Sequence, residues 1–483
     1  MIFSRPRQAG MRLTHQAAAL CWLVAAAVTT CKAQDAAAVY EPLMNGGAAV
    51  PEARGVWQSR GYGWMIALDS SGMTVYQASK ADCSMDPRTD AFIKQFLYRQ
   101  KNAPQNQLII VQYPGENRYV FDRINRLPEA CTRGNWGAKR LFEHFAASYQ
   151  EQYAFFKVRN FDWKERVKSA RALVTDRTSP RILFAIFSDM LDGLGDGHVG
   201  LDATFRGEPV VFRTGRGRTL DRLNEQALTS RQSPADMKAH WLAAYQQGVR
   251  EDVLHLQWHQ ASGGKVVWGS IGADIGYINV SSVENFTAGS LEDNIRFINA
   301  LLDRILTELG GVKSMILDVT NNSGGYDRLA REIAGHFAAA RVPAYSKQAY
   351  GAQDVSPDAF YAEPSVGRRF TGPTYLLTSD VTVSGGEILT MTMRVLPNVT
   401  QVGTATRGAL SDRLTKVLPD GSDFSISNEI YLDPHGVLFE GTGVPPHQSL
   451  EIFPAENLEG GHAKAVQQLV AQIRAGTVSR PRE

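Results

Sequence analysis

The distribution of hydrophobic residues along the chain becomes regular near residue 272. From 272 to 455, short apolar runs at 275–280, 315–319 and 375–377 alternate with segments in which apolar residues recur every three or four positions. The runs predict buried strands, and the segments between them predict helices with one buried face. Strands that alternate with helices are typical of an α/β layered domain, which we expect at 272–455.

Outside this domain the pattern predicts four further parts. Short strand-like runs separated by turn residues predict a small β-rich domain at 34–136. Helical spacing with an aromatic stripe predicts a helical segment at 137–203. A connecting region with a β-hairpin is expected at 204–271. The pattern at 456–483 predicts one amphipathic helix and a polar tail. The chain is therefore expected to be a multi-domain α/β protein.

Residues 1–33 have the features of an export signal. Arginines precede an apolar run at 17–28, which is shorter than the roughly 20 residues of a membrane-spanning helix. We expect cleavage near Ala33, a periplasmic or secreted mature protein, and no transmembrane segment after cleavage. A lipoprotein anchor on Cys31 is the alternative, but Thr30 differs from the small residues that usually precede such a cysteine.

Export would leave two cysteines in the mature chain, Cys83 and Cys131. Two cysteines in an oxidising compartment predict one disulfide. A pair of buried free thiols is the alternative.

A serine stands where the apolar run at 375–377 meets the following helical pattern. The segment Thr-Val-Ser-Gly-Gly-Glu at 382–387 places Ser384 at the helix N-cap. Two glycines at the first helical positions cost roughly 1 kcal/mol each relative to alanine, which suggests that another group must approach that backbone. Because N–H groups at a helix start can bind an oxyanion, Ser384 is a candidate nucleophile. An ordinary serine N-cap is the alternative.

Two further stretches combine with this serine in one pattern. An Asn-Asn-Ser-Gly-Gly turn at 321–325 follows a strand-like run, and Gly-Val-Leu-Phe-Glu-Gly-Thr-Gly-Val-Pro-Pro occupies 436–446. Together they resemble the serine peptidase family of C-terminal processing proteases, tricorn protease and the interphotoreceptor retinoid-binding protein. That family has a Thr-x-Ser-x-x-Glu segment, an Asn-x-Gly-Gly turn and a Gly-Val-x-Pro segment in this order. The resemblance covers about 140–455 and implies a crotonase-like and Clp-like ββα superhelix in the catalytic domain.

The resemblance implies roles for three side chains. Ser384 would be the nucleophile, His198 the general base, and Glu440 the carboxylate that orients the base. The tricorn branch has a serine directly before its histidine, whereas this chain has Gly197. Asp196 is a candidate for the support that this serine would give.

The resemblance also implies the oxyanion hole, with N–H groups of Gly385 and of Gly324 or Gly325 as donors. Glu387 is expected to be structural, because a carboxylate in the first helical turn is stabilised by the helix dipole.

Another branch of the family uses a lysine base in a Gly-x-x-Thr-x-Gly-Lys-Gly context. Here 403–408 match that frame, but Ala409 stands in place of the lysine, and Lys416 lies further along the chain. The chain also lacks the Gly-Leu-Gly-Phe segment of the peptide-binding module that many processing proteases carry. Both features favour the tricorn-like branch.

These observations predict an exported serine peptidase that acts on a protein or peptide substrate, without a metal or other cofactor. The net charge of +2 over 483 residues gives no electrostatic reason to expect nucleic acid as a partner. An oligomer is compatible with the sequence. The alternative is a non-catalytic carrier of a hydrophobic ligand or peptide on the same scaffold.

Overall fold

The computed structural model describes residues 39–478, so the predicted signal at 1–33 and Cys31 lie outside the described residues. The described chain forms two compact units. The smaller unit comprises the described residues up to Gln58, Ile66–Thr74 and Arg88–Arg126. The larger unit comprises Ser59–Met65, Val75–Pro87 and the described residues from Leu127 onward.

The first hundred described residues are rich in strands. The strands are Tyr40–Pro42, Met44–Asn45, Ala48–Ala49, Gly55–Ser59, Trp64–Asp69, Gly72–Ala78, Cys83–Met85, Tyr98–Gln100, Gln107–Val111 and Tyr119–Ile124, and one helix covers Thr89–Gln95. Within the smaller unit, Tyr98–Gln100 pairs in antiparallel fashion with Tyr40–Pro42 on one side and Gln107–Val111 on the other. The apolar run Leu108–Val111 is buried on both faces of its strand, which explains why this short segment forms one.

Three helices follow, at Ala138–Gln152, Trp163–Arg171 and Pro180–Leu191. The aromatic stripe of the first helix is buried and packs against the others; Phe145, for example, stacks on Phe187 with ring centroids 3.9 Å apart. The third helix begins with Ser179 as N-cap, whose Oγ accepts a hydrogen bond from Ile182 N–H. The loop after this helix carries His198 into the strand Gly200–Phe205.

The segment between His198 and the main sheet holds more helix than its pattern predicts. A hairpin of Gly200–Phe205 and Glu208–Arg213 precedes helices Arg218–Ser230 and Pro234–Gly248, a π-helical turn at Val249–Val253, and strands Trp258–Ala261 and Val266–Ile271. Leu254 and His255 precede the strand Trp258–Ala261, and His255 has a positive φ of 48°. The predicted hairpin in this segment is formed by Trp258–Ala261 and Val266–Ile271.

A seven-stranded sheet forms the centre of the larger unit. Its strands lie in the order Trp258–Ala261, Val266–Ile271, Ile275–Val280, Ser314–Asp318, Thr374–Thr378, Val399–Gly403 and Gln448–Ser449, and those from Ile275–Val280 onward are parallel. Helices Leu291–Glu308, Asp327–Gly335 and Gly385–Arg394 connect the parallel strands, and Gly461–Arg474 is the C-terminal helix. All residues of Ile275–Val280 and Ser314–Asp318 are buried, as expected for strands covered on both faces.

Two smaller sheets connect distant parts of the larger unit. One has the order Glu208–Arg213, Gly200–Phe205, Asp423–Ser427, Arg413–Val417, and the other has the order Asp358–Ala362, Val342–Ala349, Glu429–Leu432. The pairing of Gly200–Phe205 with Asp423–Ser427 attaches the His198 loop to the C-terminal half of the chain. No helix within residues 39–478 is both long enough and apolar enough to cross a membrane.

Candidate active site

Ser384 lies at the start of helix Gly385–Arg394 in an unusual backbone conformation. Its φ and ψ are 57° and −127°, a combination that residues other than glycine rarely adopt and that costs on the order of 1–3 kcal/mol. Its N–H donates to the carbonyl of Ala409 at 3.1 Å and to Glu387 Oε2 at 3.1 Å. The surrounding loops therefore hold the candidate nucleophile in a strained turn between a strand and a helix.

Glu387 is fully buried and organises the loop opposite Ser384. Besides the Ser384 N–H, its carboxylate accepts hydrogen bonds from Thr406 Oγ1 at 2.6 Å, Gly408 N–H at 2.7 Å and Ala409 N–H at 2.9 Å. Burial raises the pKa of Glu387 above its usual value, although these bonds act in the opposite direction. This carboxylate fixes the position of the 406–409 loop relative to Ser384.

The glycine turn at 322–325 contacts the Ser384 turn directly. A Cβ atom added to Gly324 would lie 2.7 Å from Ser384 Cβ, and one added to Gly385 would lie 2.8 Å from Gly325 N. The Gly324 N–H donates to Asn322 Oδ1 at 2.9 Å and is occupied. The N–H groups of Gly325 and Gly385 have no acceptor among the described residues. The structure thus leaves two neighbouring backbone donors beside the candidate nucleophile.

His198 lies in a buried loop whose backbone is firmly held. Its N–H donates to Asp196 Oδ1 at 2.9 Å, and its carbonyl accepts a hydrogen bond from Ser425 Oγ at 2.6 Å. The ring Nδ1 is buried and has no hydrogen-bond partner among residues 39–478. Burial lowers the pKa of the imidazole below its usual value, so the ring is neutral near pH 7 and can accept a proton.

Glu440 is also buried, but its carboxylate contacts other groups than the His198 ring. Oε2 accepts hydrogen bonds from Leu410 N–H at 2.8 Å and Ser411 N–H at 3.0 Å, and Oε1 accepts one from Arg159 Nη2 at 2.8 Å. Burial, reinforced by the nearby charge of Asp196, raises the pKa of Glu440 to about 8. No hydrogen bond joins this carboxylate to His198 in the described structure, so its orienting role remains a prediction.

Asp196 supports the backbone of the histidine loop rather than the ring. Its Oδ1 accepts hydrogen bonds from His198 N–H and from Ser427 Oγ at 3.1 Å, and its Oδ2 accepts one from Tyr153 OH at 2.8 Å. The side chain is fully buried. Asp196 therefore links the histidine loop to Tyr153, which directly follows the helix Ala138–Gln152, and to the strand Asp423–Ser427.

Lys416, the alternative base, is in a different environment. Its Nζ is buried and donates to the carbonyls of Tyr62 at 2.9 Å and Gly63 at 3.3 Å and to Gln77 Oε1 at 2.7 Å. These three acceptors match the three donors of a charged ammonium group, which has no lone pair to accept a proton. The position of Lys416 does not support the lysine alternative.

The structure joins Cys83 and Cys131 in a disulfide. The bond connects the strand Cys83–Met85 to a 3₁₀ turn at Glu129–Thr132, both in the larger unit. The formation of this bond in an exported protein remains a prediction.

Arg159 is a residue of this region that the sequence did not single out. It contacts Glu440 and Asp196, but it stands in a loop and belongs to none of the recognised motifs.

Sequence comparison relates the central sheet region to known peptidases. Residues 274–450 match the model of Peptidase family S41. The carboxy-terminal processing protease CtpA of Bacillus subtilis (strain 168) is 27% identical over 179 residues, which cover 37% of this chain and 35% of that protein. The resemblance predicted from the three motifs is therefore confirmed at the level of the family.

Solved structures support the fold. A protein from Parabacteroides merdae has a TM-score of 0.56 and 22% identity, and the match covers 71% of this chain and 100% of that chain. Mature CPAF has a TM-score of 0.52 and 12% identity, with 71% and 98% of the two chains covered. These likenesses confirm the predicted multi-domain α/β class.

Proposed function

We infer that this chain, in which residues 274–450 match peptidase family S41, is a serine peptidase that cleaves peptide bonds through an acyl-enzyme on Ser384. The observation that carries this proposal is the position of Ser384 beside the N–H groups of Gly325 and Gly385, which have no acceptor among residues 39–478. A hydroxyl next to two fixed donors suits attack on a carbonyl, because the donors stabilise the oxyanion that the attack creates.

His198 serves as the general base in this proposal. It takes the proton of Ser384 Oγ during attack and gives it to the amine that leaves, and it then takes a proton from water when the acyl-enzyme is hydrolysed. The support for this role is the motif position of His198 and the burial that lowers its pKa, which keeps the ring neutral.

Glu440 stabilises the imidazolium in this proposal through its charge. Its carboxylate is held by two backbone N–H groups and by Arg159, so it is fixed before the reaction begins. Electrostatic stabilisation by a fixed group needs no reorganisation during proton transfer. Only the ionised carboxylate can stabilise a cation, so the raised pKa of Glu440 links activity to pH.

The proposed substrate is a protein or peptide in an extracytoplasmic compartment. The relative in Bacillus subtilis is named for carboxy-terminal processing, and this suggests the C-terminal regions of polypeptides as substrates here too. Export rests on the sequence of 1–33 and is part of the proposal. A cavity of about 550 Å³ is lined partly by Arg218, Asp380 and Glu451, and such charges do not suit a hydrophobic ligand.

A fluorophosphonate probe tests the proposal. The folded protein should be labelled on Ser384, as located by mass spectrometry, and should release peptides from denatured casein. Ser384→Ala should abolish both activities, whereas Ser230→Ala, at an exposed serine on another helix, should change neither. Failure of the folded wild-type protein to be labelled or to cleave casein would contradict the peptidase function.

A further inference from the structure

Arg159 lies in the loop between helices Ala138–Gln152 and Trp163–Arg171. Its backbone N–H bonds to the carbonyl of Phe155, and only 8% of its side chain is exposed. A guanidinium group that is buried to this extent needs several acceptors to offset its lost hydration. Its hydrogen-bond partners therefore show what the residue does.

The guanidinium of Arg159 contacts three separate loops. Nη1 donates to the carbonyl of Gly195 at 2.5 Å, and Nε lies 3.4 Å from Asp196 Oδ2. Nη2 donates both to Glu440 Oε1 at 2.8 Å and to the carbonyl of Gly408 at 3.0 Å. One planar group thereby joins the loop that carries His198, the carboxylate proposed to stabilise it and the loop opposite the nucleophile.

The contact at Gly408 extends this network to the nucleophile itself. While the Gly408 carbonyl accepts from Arg159, its N–H donates to Glu387 Oε1 at 2.7 Å. The same Glu387 carboxylate accepts from Ser384 N–H. A series of hydrogen bonds therefore runs from Arg159 through Gly408 and Glu387 to the backbone of Ser384.

Charge gives Arg159 a second role in the same place. Asp196 and Glu440 are both almost fully buried, and Arg159 is the cation that contacts both. Burial alone would lower the pKa of Arg159, but Asp196, Tyr153 and Glu440 together outweigh it and raise that pKa. Arg159 in turn opposes the effects that raise the pKa of Glu440. Without this cation, ionisation of Glu440 would leave two nearby buried negative charges with no guanidinium between them.

We propose that Arg159 is a positioning residue for the reaction at Ser384, which holds the His198 loop, the Glu440 carboxylate and the Gly408 peptide in register. This proposal rests on the proposed peptidase function. Arg159 acts through His198 and Glu440 and does not contact the reacting atoms itself. A lysine cannot replace it fully, because one ammonium group cannot reproduce the planar arrangement of donors that contacts three loops.

Arg166, an exposed arginine of the next helix, provides a control that shares the bridging contacts of Arg159 but not its burial. Its Nη1 and Nη2 donate to the carbonyls of Asp189 and Asp192, at 3.0 and 3.2 Å, near the end of another helix. It therefore ties two elements together as Arg159 does, yet neither of these bonds reaches a residue of the candidate site. Loss of such bonds should affect stability only.

The test compares Arg159→Met and Arg159→Lys with Arg166→Met in the full-length protein. Thermal unfolding first selects folded variants. Two readouts follow, namely kcat and KM for a fluorogenic peptide between pH 6 and 9.5, and the ring resonance of His198 in histidine-labelled protein, assigned with His198→Gln. We expect Arg159→Met to lower kcat about 100-fold with little change in KM, because the catalytic groups are displaced.

Three further results are expected from the same samples. We expect kcat to rise with pH as Glu440 ionises, and this rise is the acidic limb of the profile. The limb should move to higher pH in Arg159→Met, because the cation that opposes the raised pKa of Glu440 is gone. The His198 resonance should shift or broaden in Arg159→Met and stay unchanged in Arg166→Met. Arg159→Lys, which keeps the charge, should lose about 10-fold in kcat and keep the position of the limb.

Outcomes of these measurements separate the two proposals. An unchanged His198 resonance in folded Arg159→Met would overturn the positioning role. If Arg159→Met does not fold, an unchanged resonance in folded Arg159→Lys would overturn it. The His198 resonance could change as expected in Arg159→Met while the wild-type protein neither cleaves peptides nor reacts with the fluorophosphonate. That result would support the structural link and reject the peptidase function.

Discussion

The backbone N–H of Ser384 donates a hydrogen bond to Glu387 Oε2, at 3.1 Å, across the first turn of the helix that begins at Gly385. The other bonds of this buried carboxylate go to the 406–409 loop. Glu387 therefore does more than complement the helix dipole, the role expected from the sequence. It holds the strained turn of the candidate nucleophile against the opposite loop.

Glu387→Gln should destabilise the protein and slow the labelling of Ser384. The amide nitrogen of glutamine cannot accept the hydrogen bonds that the second carboxylate oxygen accepts, so buried N–H groups lose their partner, at a cost of about 1–3 kcal/mol. Urea unfolding measures the loss of stability, and the fluorophosphonate labelling rate measures the second effect. Glu143→Gln, at a carboxylate with 44% of its side chain exposed, is the control and should change stability by less than about 0.5 kcal/mol. Equal stability of the two variants would contradict the role of Glu387.

The pH profile should report the ionisation of Glu440. Its pKa is raised to about 8, so the carboxylate is mostly protonated below that pH and ionised above it. Since only the ionised form stabilises the His198 imidazolium, kcat/KM for a peptide should rise as pH increases through about 8. The ionisation of His198 lies at lower pH because burial lowers its pKa, so it does not set this limb.

Glu440→Gln should remove this limb and lower kcat by about 10²- to 10⁴-fold while peptide binding changes little. Steady-state kinetics across the same pH range give both quantities. Asp196→Asn, which alters a carboxylate that holds the backbone of the histidine loop, should have a smaller effect on kcat. If Asp196→Asn had the larger effect, the stabilising role would belong to Asp196.

Gly324→Ala should abolish labelling of Ser384 for a steric reason. The added Cβ atom would lie 2.7 Å from Ser384 Cβ and 2.9 Å from the carbonyl of Val383, so the nucleophile would have to move. Gly436→Ala is the matched control, because Gly436 also has a positive φ, 79°, but no atom within 4 Å of the added Cβ. The control should lose about 1–2 kcal/mol of stability and keep its labelling rate. Retained labelling in folded Gly324→Ala would refute this arrangement of the turn.

The exported protein should contain the bond between Cys83 and Cys131. The bond closes a segment with a sequence separation of 48, and such a constraint on the unfolded chain contributes about 4 kcal/mol. Peptide mapping without reduction detects the bond, and unfolding with and without a reductant measures its contribution. Alkylation of both thiols without prior reduction would show that they are free.

Secondary structure was easiest to predict from the sequence where consecutive residues are buried. The run at Ser314–Asp318 is buried on both faces and was recognised as a strand from its apolar residues alone. Helices Arg218–Ser230 and Pro234–Gly248 were not recognised, since each buries only two or three residues, among them Leu223 and Trp241. In Pro234–Gly248 the apolar residues are spread around the helix, so the sequence shows no clear helical period there.

The candidate site was predicted in part for a similar reason. Ser384 and the glycine turn stand in short motifs whose local geometry follows from sequence. The contact of Arg159 with Glu440 joins residues 281 positions apart, and no local pattern indicates it. The same applies to Lys416, whose buried partners Tyr62 and Gln77 come from a distant part of the chain.

The pairing of Gly200–Phe205 with Asp423–Ser427 makes the proposed catalytic unit larger than the segment that sequence similarity delimits. A recombinant fragment trimmed to 274–450 would retain Ser384 and the neighbouring N–H groups of Gly325 and Gly385 but lose His198. It would also expose the hydrogen-bonding edge of Asp423–Ser427, and unprotected edges of this kind promote aggregation. Gene fusions or evolutionary exchanges that preserve activity must therefore transfer the helical segment and its hairpin together with the central sheet.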